Sequence, residues 1–232
     1  MHSLISAAAL VVGNRLAGVR VEYSHGLNGN AELLERFRYR IYVEELGKPL
    51  PTADHANKRL PDPDDATGHH FMAFADERMV GCVRLHMAPQ VPDYCLAMLG
   101  LQRFAALCDR SFGYVSKLMI ARDRRGAGIG YELMRRMIAF GHSAPYFGEI
   151  AFFHTNPRLV PLYERIGFRR FGKTFSAPFV GRQVPMQIIG GDVGHFQRCA
   201  SPLLATAKRY PIDSERLRGL LSRIPSANLD SP

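Results

Sequence analysis

Apolar positions change their period several times along the chain, and each change marks a predicted element. Positions 19–23 alternate apolar and polar, as a short half-buried strand does, whereas Leu33, Leu34, Phe37, Ile41 and Tyr42 recur at a helical period across 30–46. Asn30 is placed as the N-cap of that helix and Gly47 as its stop. Four prolines and a cluster of aspartates make 48–67 a loop. A hairpin follows at 71–75 and 79–87, turning at Asp76-Glu77-Arg78, and then a helix at 94–108. Next come a strand at 114–120, a glycine turn, a helix at 131–140, a strand at 149–154 and a helix ending at Gly167. Strand-like runs to Phe175 and at 184–189 precede helical segments around 196–210 and 214–224. The order predicts an α/β (α+β) chain: a leader or helix at 1–18, a main domain at 19–190, a C-terminal helical extension at 191–224 and a frayed tail at 225–232.

The turn Arg125-Gly126-Ala127-Gly128-Ile129-Gly130 sits between a predicted strand and a predicted helix. Glycines let the backbone take left-handed conformations and approach a ligand, and the helix start aims unpaired N–H groups and a positive dipole end into the turn. That is a phosphate cradle. A Walker A loop would end in Gly-Lys-Ser or Gly-Lys-Thr, but Gly130 is followed by Tyr131 and Glu132. A dinucleotide fold needs G-x-G-x-x-G and an acidic residue about 20 positions on. Here the glycines alternate and only Glu149 lies downstream.

The turn resembles the R-x-x-G-x-G/A pyrophosphate loop of the GNAT acyltransferase superfamily, with Arg125, Gly128 and Gly130 at the marked places. Asn156-Pro157 followed by Leu162-Tyr163-Glu164-Arg165-Ile166-Gly167-Phe168 is similar to that superfamily's later helix, which ends at a Gly and runs into a Phe-led strand. Upstream, Arg36-Phe37-Arg38-Tyr39-Arg40-Ile41-Tyr42-Val43-Glu44-Glu45-Leu46-Gly47 resembles the opening helix of the N-acyl amino acid synthases (FeeM-type) and of the related LuxI-type acyl-homoserine lactone synthases. Asp62-x-x-Asp65, Gly81-Cys82-Val83-Arg84-Leu85 and Ser116-Lys117-Leu118-Met119-Ile120 match further fragments of that group in the same order. The resemblance runs over roughly residues 33–190 and implies a GNAT-like mixed, mostly antiparallel central sheet flanked by helices.

It also implies acyl transfer from a thioester to an amine. In the lactone synthases a Glu two residues before the Ser-Arg pair is a candidate base; Tyr114 holds that place here, and a tyrosine with a pKa near 10 is a poor base at neutral pH. This favours the amino acid synthase branch. Lys117 keeps the charge of the arginine it replaces but not its bidentate fork. By resemblance, Leu118, Met119 and Ile120 pair with a pantetheine arm, Arg125, Gly126, Gly128, Ile129 and Gly130 hold its phosphate, and Asn156 counts among the donor-binding residues. Tyr163 stands where the superfamily often keeps the acid that protonates the leaving thiolate; its competing reading is a packing aromatic at i+4 from Leu159. His154 and Glu149, at the two ends of one strand, are the candidate bases, with a solvent relay as the alternative. Arg84, with Asp62, Asp65, Ser116 and Arg38, is placed either as a clamp on an amino acid's carboxylate or as a structural ion network.

Composition adds a compartment and a partner. At 232 residues and 47% hydrophobic the chain suffices for one large domain. Four cysteines without C-x-x-C spacing read as buried thiols of a cytoplasmic protein, and no metal site is expected. The apolar stretch at 4–12 is too short for a membrane span of about 20 residues. Net charge is −1 over residues 1–110 and +10 over 111–232, which together give the total of +9. The basic half carries the glycine turn, so an acidic partner or a polyphosphate is expected there. The resemblance makes it an acyl-phosphopantetheine donor, on acyl carrier protein or as acyl-CoA, with no permanently bound cofactor. No nucleic-acid partner is expected, since there is no recognition motif, no Trp and no basic-aromatic stripe. Two alternatives stay open: a non-catalytic GNAT-like acyl-thioester sensor or interaction module, and a homoserine lactone synthase. The acceptor amine, chain length and oligomeric state stay open too.

Overall fold

Eight strands form one sheet in the computed structural model, which describes residues 18–226. The leader read at 1–18 lies outside the described residues except for Gly18, and so does the tail beyond Ser226. In chain order the strands are β1 Val19–His25, β2 His69–Ala75, β3 Arg78–Met87, β4 Gly113–Ile120, β5 Ile150–Thr155, β6 Arg169–Arg170, β7 Phe175–Ala177 and β8 Gly181–Ile189. The helices are α1 Ala31–Tyr39, α2 Asp93–Leu99, α3 Gln102–Leu107, α4 Ile129–His142, α5 Val160–Ile166, α6 Val193–Arg198, α7 Leu204–Ala207 and α8 Ser214–Arg223. Sheet order is β1-β2-β3-β4-β5-β8-β6, with β7 paired to β8. Every pairing is antiparallel except β4 with β5. This is the mixed, mostly antiparallel sheet that the motifs imply.

Side chains alternate across a strand, so the sheet has two cores. α4 crosses β2, β3 and β4 and buries Leu133, Met134 and Met137. The segment read as a C-terminal extension supplies Phe196, Leu203 and Ala207 to this same core. The other core holds Phe104, Phe112, Phe152 and Phe171, with Phe104 and Phe152 meeting edge to face at 4.9 Å, closed by Leu220 of α8. Tyr114 belongs to this second cluster. Its hydroxyl is pushed far above the ordinary tyrosine range by burial and by Cys95, so it packs rather than titrates.

Three local readings change. The helix read at 94–108 is two helices, because Gly100 takes a left-handed conformation (φ 67°) that ends α2 before α3 begins. The helix read at 30–46 is α1 followed by one π-helical turn, Arg40–Glu45, which adds a residue to the turn and rotates the side chains beyond it. Asn30 precedes α1 but makes no side-chain capping bond. Among the described residues no helix is long and apolar enough to cross a membrane.

Acid should destabilise this fold in a defined window. His69 is 4% exposed, with Nδ1 2.9 Å from the Tyr23 hydroxyl and Nε2 3.0 Å from the Tyr146 hydroxyl. Burial, then the neighbouring His25, His86 and His70, lowers its pKa to about 4, and burial does the same to His142. The folded state keeps these rings neutral while the unfolded chain binds protons below its ordinary pKa near 6.5. Their contribution is therefore complete above pH 6.5 and is lost as pH falls toward 4. For His69 alone the expected loss is about 2 kcal/mol by pH 4.5. Urea midpoints at pH 7 and pH 4.5 check this, and a His69→Gln variant should show a shallower pH dependence.

Candidate active site

The site begins where the sheet comes apart. β4 and β5 pair only at Gly113 with Ala151 and Tyr114 with Phe152. Beyond those residues the strands continue to Ile120 and Thr155 without pairing each other, so a cleft opens between them and leaves backbone groups of β4 free to bond a ligand. On its other side β4 carries a bulge: Cys82 faces Met119 and Arg84 faces Ser116, so Lys117 and Leu118 share one place opposite Val83. Lys117 sits there at φ 55°, left-handed for a non-glycine residue. Cys82 Sγ donates to its carbonyl, and its ammonium pairs with Asp62 at 2.8 Å.

β4 then feeds the glycine turn. Gly126 (φ 85°) and Gly128 (φ 78°) are left-handed, and Gly128 immediately precedes α4, whose first N–H groups have no partner within the helix. A Cβ on Gly126 would meet no protein atom within 4 Å, so the turn faces open space of the kind a phosphate needs. Gly130 is ordinary helix, where a Cβ would touch Ile120 Cγ1 at 3.7 Å. Arg125 is not loose in the turn. Its guanidinium donates to Glu45 at 2.7 Å and to the Ile120 carbonyl at 3.1 Å, bracing the turn against the π-helical segment.

Among the described residues Arg38 and Arg84 are the largest buried polar side chains, 1% and 2% exposed. Arg38 grips both oxygens of Asp65 at 2.9 and 2.8 Å and donates to the Leu60 carbonyl. Arg84 donates to Asp65 at 2.8 Å and to Ser116 Oγ at 3.0 Å, and pairs with Asp62 at 3.0 Å and Asp64 at 3.4 Å. Tyr94 closes the network with a hydroxyl bond to Asp64. These residues form one connected ion network. Arg38, Asp65 and Arg84 spend most of their polar atoms on one another and on the groups around them, and Arg38 Nε alone among the nitrogens of the two guanidiniums is buried without a partner. Asp62 and Lys117 lie at the rim. Burial works against the Asp62 charge, yet Lys117 and Arg84 hold its carboxyl well below the usual range. Burial and the two arginines lower the Lys117 pKa, with Asp62 opposing.

The two candidate bases separate. Glu149 precedes β5 at the closed end of the cleft, where its oxygens accept from Arg110 at 2.9 Å and Arg216 at 2.7 Å. His154 is five residues on, about 16 Å away along an extended strand, at the open end. Its Nδ1 lies 3.0 Å from Gln183 Oε1. Gln183 Nε2 already donates to the Arg182 carbonyl at 2.9 Å, so Nδ1 must carry the proton and Nε2 keeps a lone pair. Burial lowers the His154 pKa, and Lys117 and Lys48 lower it further, against the Gln183 bond. Tyr163 packs on Phe153 at 4.6 Å and shares a hydrogen bond with Thr155; burial pushes its hydroxyl up to about 12, so it is protonated at neutral pH. Asn156 spends its side-chain oxygen capping the turn Pro157–Leu159, on the Arg158 N–H at 3.0 Å. Sequence reasoning did not single out Gln183, Thr155 or Lys48 for the site, since each acquires its role from a neighbour distant in the chain.

A family model described as acetyltransferase (GNAT) family matches residues 35–168. No curated protein matches the sequence. Among solved structures, FeeM, an N-acyl amino acid synthase from uncultured soil microbes, is 14% identical, with a TM-score of 0.58 over 81% of this chain and 97% of its own. TofI, solved with an inhibitor and MTA, is 21% identical, with a TM-score of 0.58 over 81% and 98%. BjaI, a CoA-dependent acyl-homoserine lactone synthase, is 17% identical, with a TM-score of 0.53 over 78% and 92%. At these identities the likeness is one of fold.

Proposed function

Since the chain belongs to the GNAT acetyltransferase family and is therefore an N-acyltransferase, we propose that it moves an acyl group, long-chain in our reading, from an acyl carrier protein or CoA thioester to the amine of an amino acid or similar small amine. The observation that carries this reading is the cleft between β4 and β5, which leads from the bulge at Lys117 to the glycine turn. The turn takes the phosphate end, β4 hydrogen-bonds the arm, and the thioester reaches the bulge, where backbone N–H groups meet the developing oxyanion. His154 Nε2 accepts a proton from the amine, and the Tyr163 hydroxyl supplies one to the thiolate. Tyr114, locked among phenylalanines, offers no carboxylate in place of the lactone synthases' Glu, which favours the amino acid branch.

Incubating the protein with matched acyl-CoA and acyl-carrier donors and a mixture of amino acids, then detecting products by mass, tests the reading. Acylated amine is the expected result, and its absence with every donor would leave the non-catalytic module. Carrier-dependent turnover should fall with salt while CoA-dependent turnover changes less, as steering onto a basic surface requires. Equal donor use with no salt effect would remove the carrier protein. For the base, His154→Ala should lower kcat by about 10²-fold. It should also remove the acidic limb of the pH profile, which in the parent falls at a pH below 6.5 because that ring's pKa is lowered.

A further inference from the structure

The π-helical turn Arg40–Glu45 leads to a chain reversal at Gly47, after which the Lys48 N–H returns to the Tyr42 carbonyl at 2.9 Å. That reversal folds the Lys48 ammonium over the Tyr42 ring, 5.0 Å from its centroid. From β4, Lys117 reaches the same ring at 5.8 Å. Both ammoniums therefore approach one ring beside the bulge, and both weigh on the protonation of His154. Arg38, Arg84, Lys117 and Lys48 bring four positive charges to this region against the three carboxylates Asp62, Asp64 and Asp65. Lys117 has Asp62, whereas no ion pair among the described residues includes Lys48. Of these four cations Lys48 is the one with no carboxylate partner among the described residues.

We propose that Lys48 is the specificity-determining residue of the acceptor site: with Lys117, across the face of Tyr42, it binds a carboxylate carried by the acceptor beside its amine. The proposal rests on the acyl-transfer reading. A monoanionic group gives Lys48 an ion-pair partner, and an α-amino acid places its amine one carbon from that group, within the neighbourhood of His154. Cationic acceptors such as polyamines are rejected by the same two lysines. Burial and Lys117 already lower the Lys48 pKa, so an arriving carboxylate relieves a strained cation.

The test compares each protein amino acid with its own decarboxylated amine as acceptor, in the parent and in Lys48→Met, which keeps most of the apolar stem. The parent should prefer amino acids. In Lys48→Met that preference should fall by about tenfold to a hundredfold, the range for losing one charge-assisted hydrogen bond, through the acceptor KM and with the donor KM unmoved. Lys48→Arg should restore most of it, which a packing role for the stem would not. Unchanged discrimination, or a change in donor KM instead, overturns the proposal. If the parent acylates no amine, the acyl-transfer reading fails, and calorimetric binding of the same amino acids and amines decides the Lys48 proposal separately. Carboxylate-dependent binding lost in Lys48→Met supports it, and equal binding by both proteins sinks it.

Discussion

Arg84→Ala is expected to cost about 3–5 kcal/mol of folding stability, before any effect on catalysis can be read. The guanidinium is 2% exposed and meets Asp62, Asp64, Asp65 and Ser116 at once. Removing it leaves buried carboxylate charge facing a cavity. Asp65 keeps its two bonds to Arg38 and Asp62 keeps Lys117, so the loss should fall toward the lower end of the range. Arg84→Lys should recover only part, because one ammonium cannot reach the directions a planar fork serves. Urea unfolding measures the effect. An unchanged midpoint, combined with a raised acceptor KM, would instead make Arg84 a substrate clamp and refute the ion network as its role.

Gly128→Val is expected to act on the other end of the site, lowering kcat/KM for the acyl donor by about 10²-fold or more. At φ 78° a β-branched residue is a backbone outlier worth about 1–3 kcal/mol, and its methyls would stand over the N–H groups that open α4. Donor KM should carry most of the loss and acceptor KM little. Gly130→Ala is the control: its backbone is helical, and the added Cβ makes ordinary contact with Ile120, so donor affinity should hardly move. Equal effects of the two substitutions would mean that the turn serves packing and not a phosphate.

Most of the sheet was legible because strand alternation and turn residues are local. The hairpin of β2 and β3, the β4-turn-α4 unit and the helix ending at Gly167 appear where the hydrophobic period and the glycines put them. The helix at 94–108 was misread for the same reason: its apolar period continues through Gly100, and only the left-handed turn there separates α2 from α3. The polar residues were harder. An arginine on a strand and aspartates some 20 residues earlier pointed equally to a clamp and to a network, since sequence does not say which partner satisfies a charge. Likewise Glu149 and His154 stand near opposite ends of β5, and only the one-sided pairing of β4 with β5 decides which end is open. Lys48 falls in the segment read as a loop, and nothing in the local sequence ties it to Lys117 or Tyr42.

By itself the sequence determined the order of elements, the glycine turn and the family, because these depend on backbone conformations and periods set within a few residues. The tertiary structure alone decided that Arg84 is buried, that Glu149 stands at the closed end, that His154 keeps a lone pair on Nε2, and that Lys48 meets Lys117 over one ring. Those outcomes turn on which groups distant in the chain come within hydrogen-bond or Coulomb range. A buried charge takes its role from the partners that the fold brings to it.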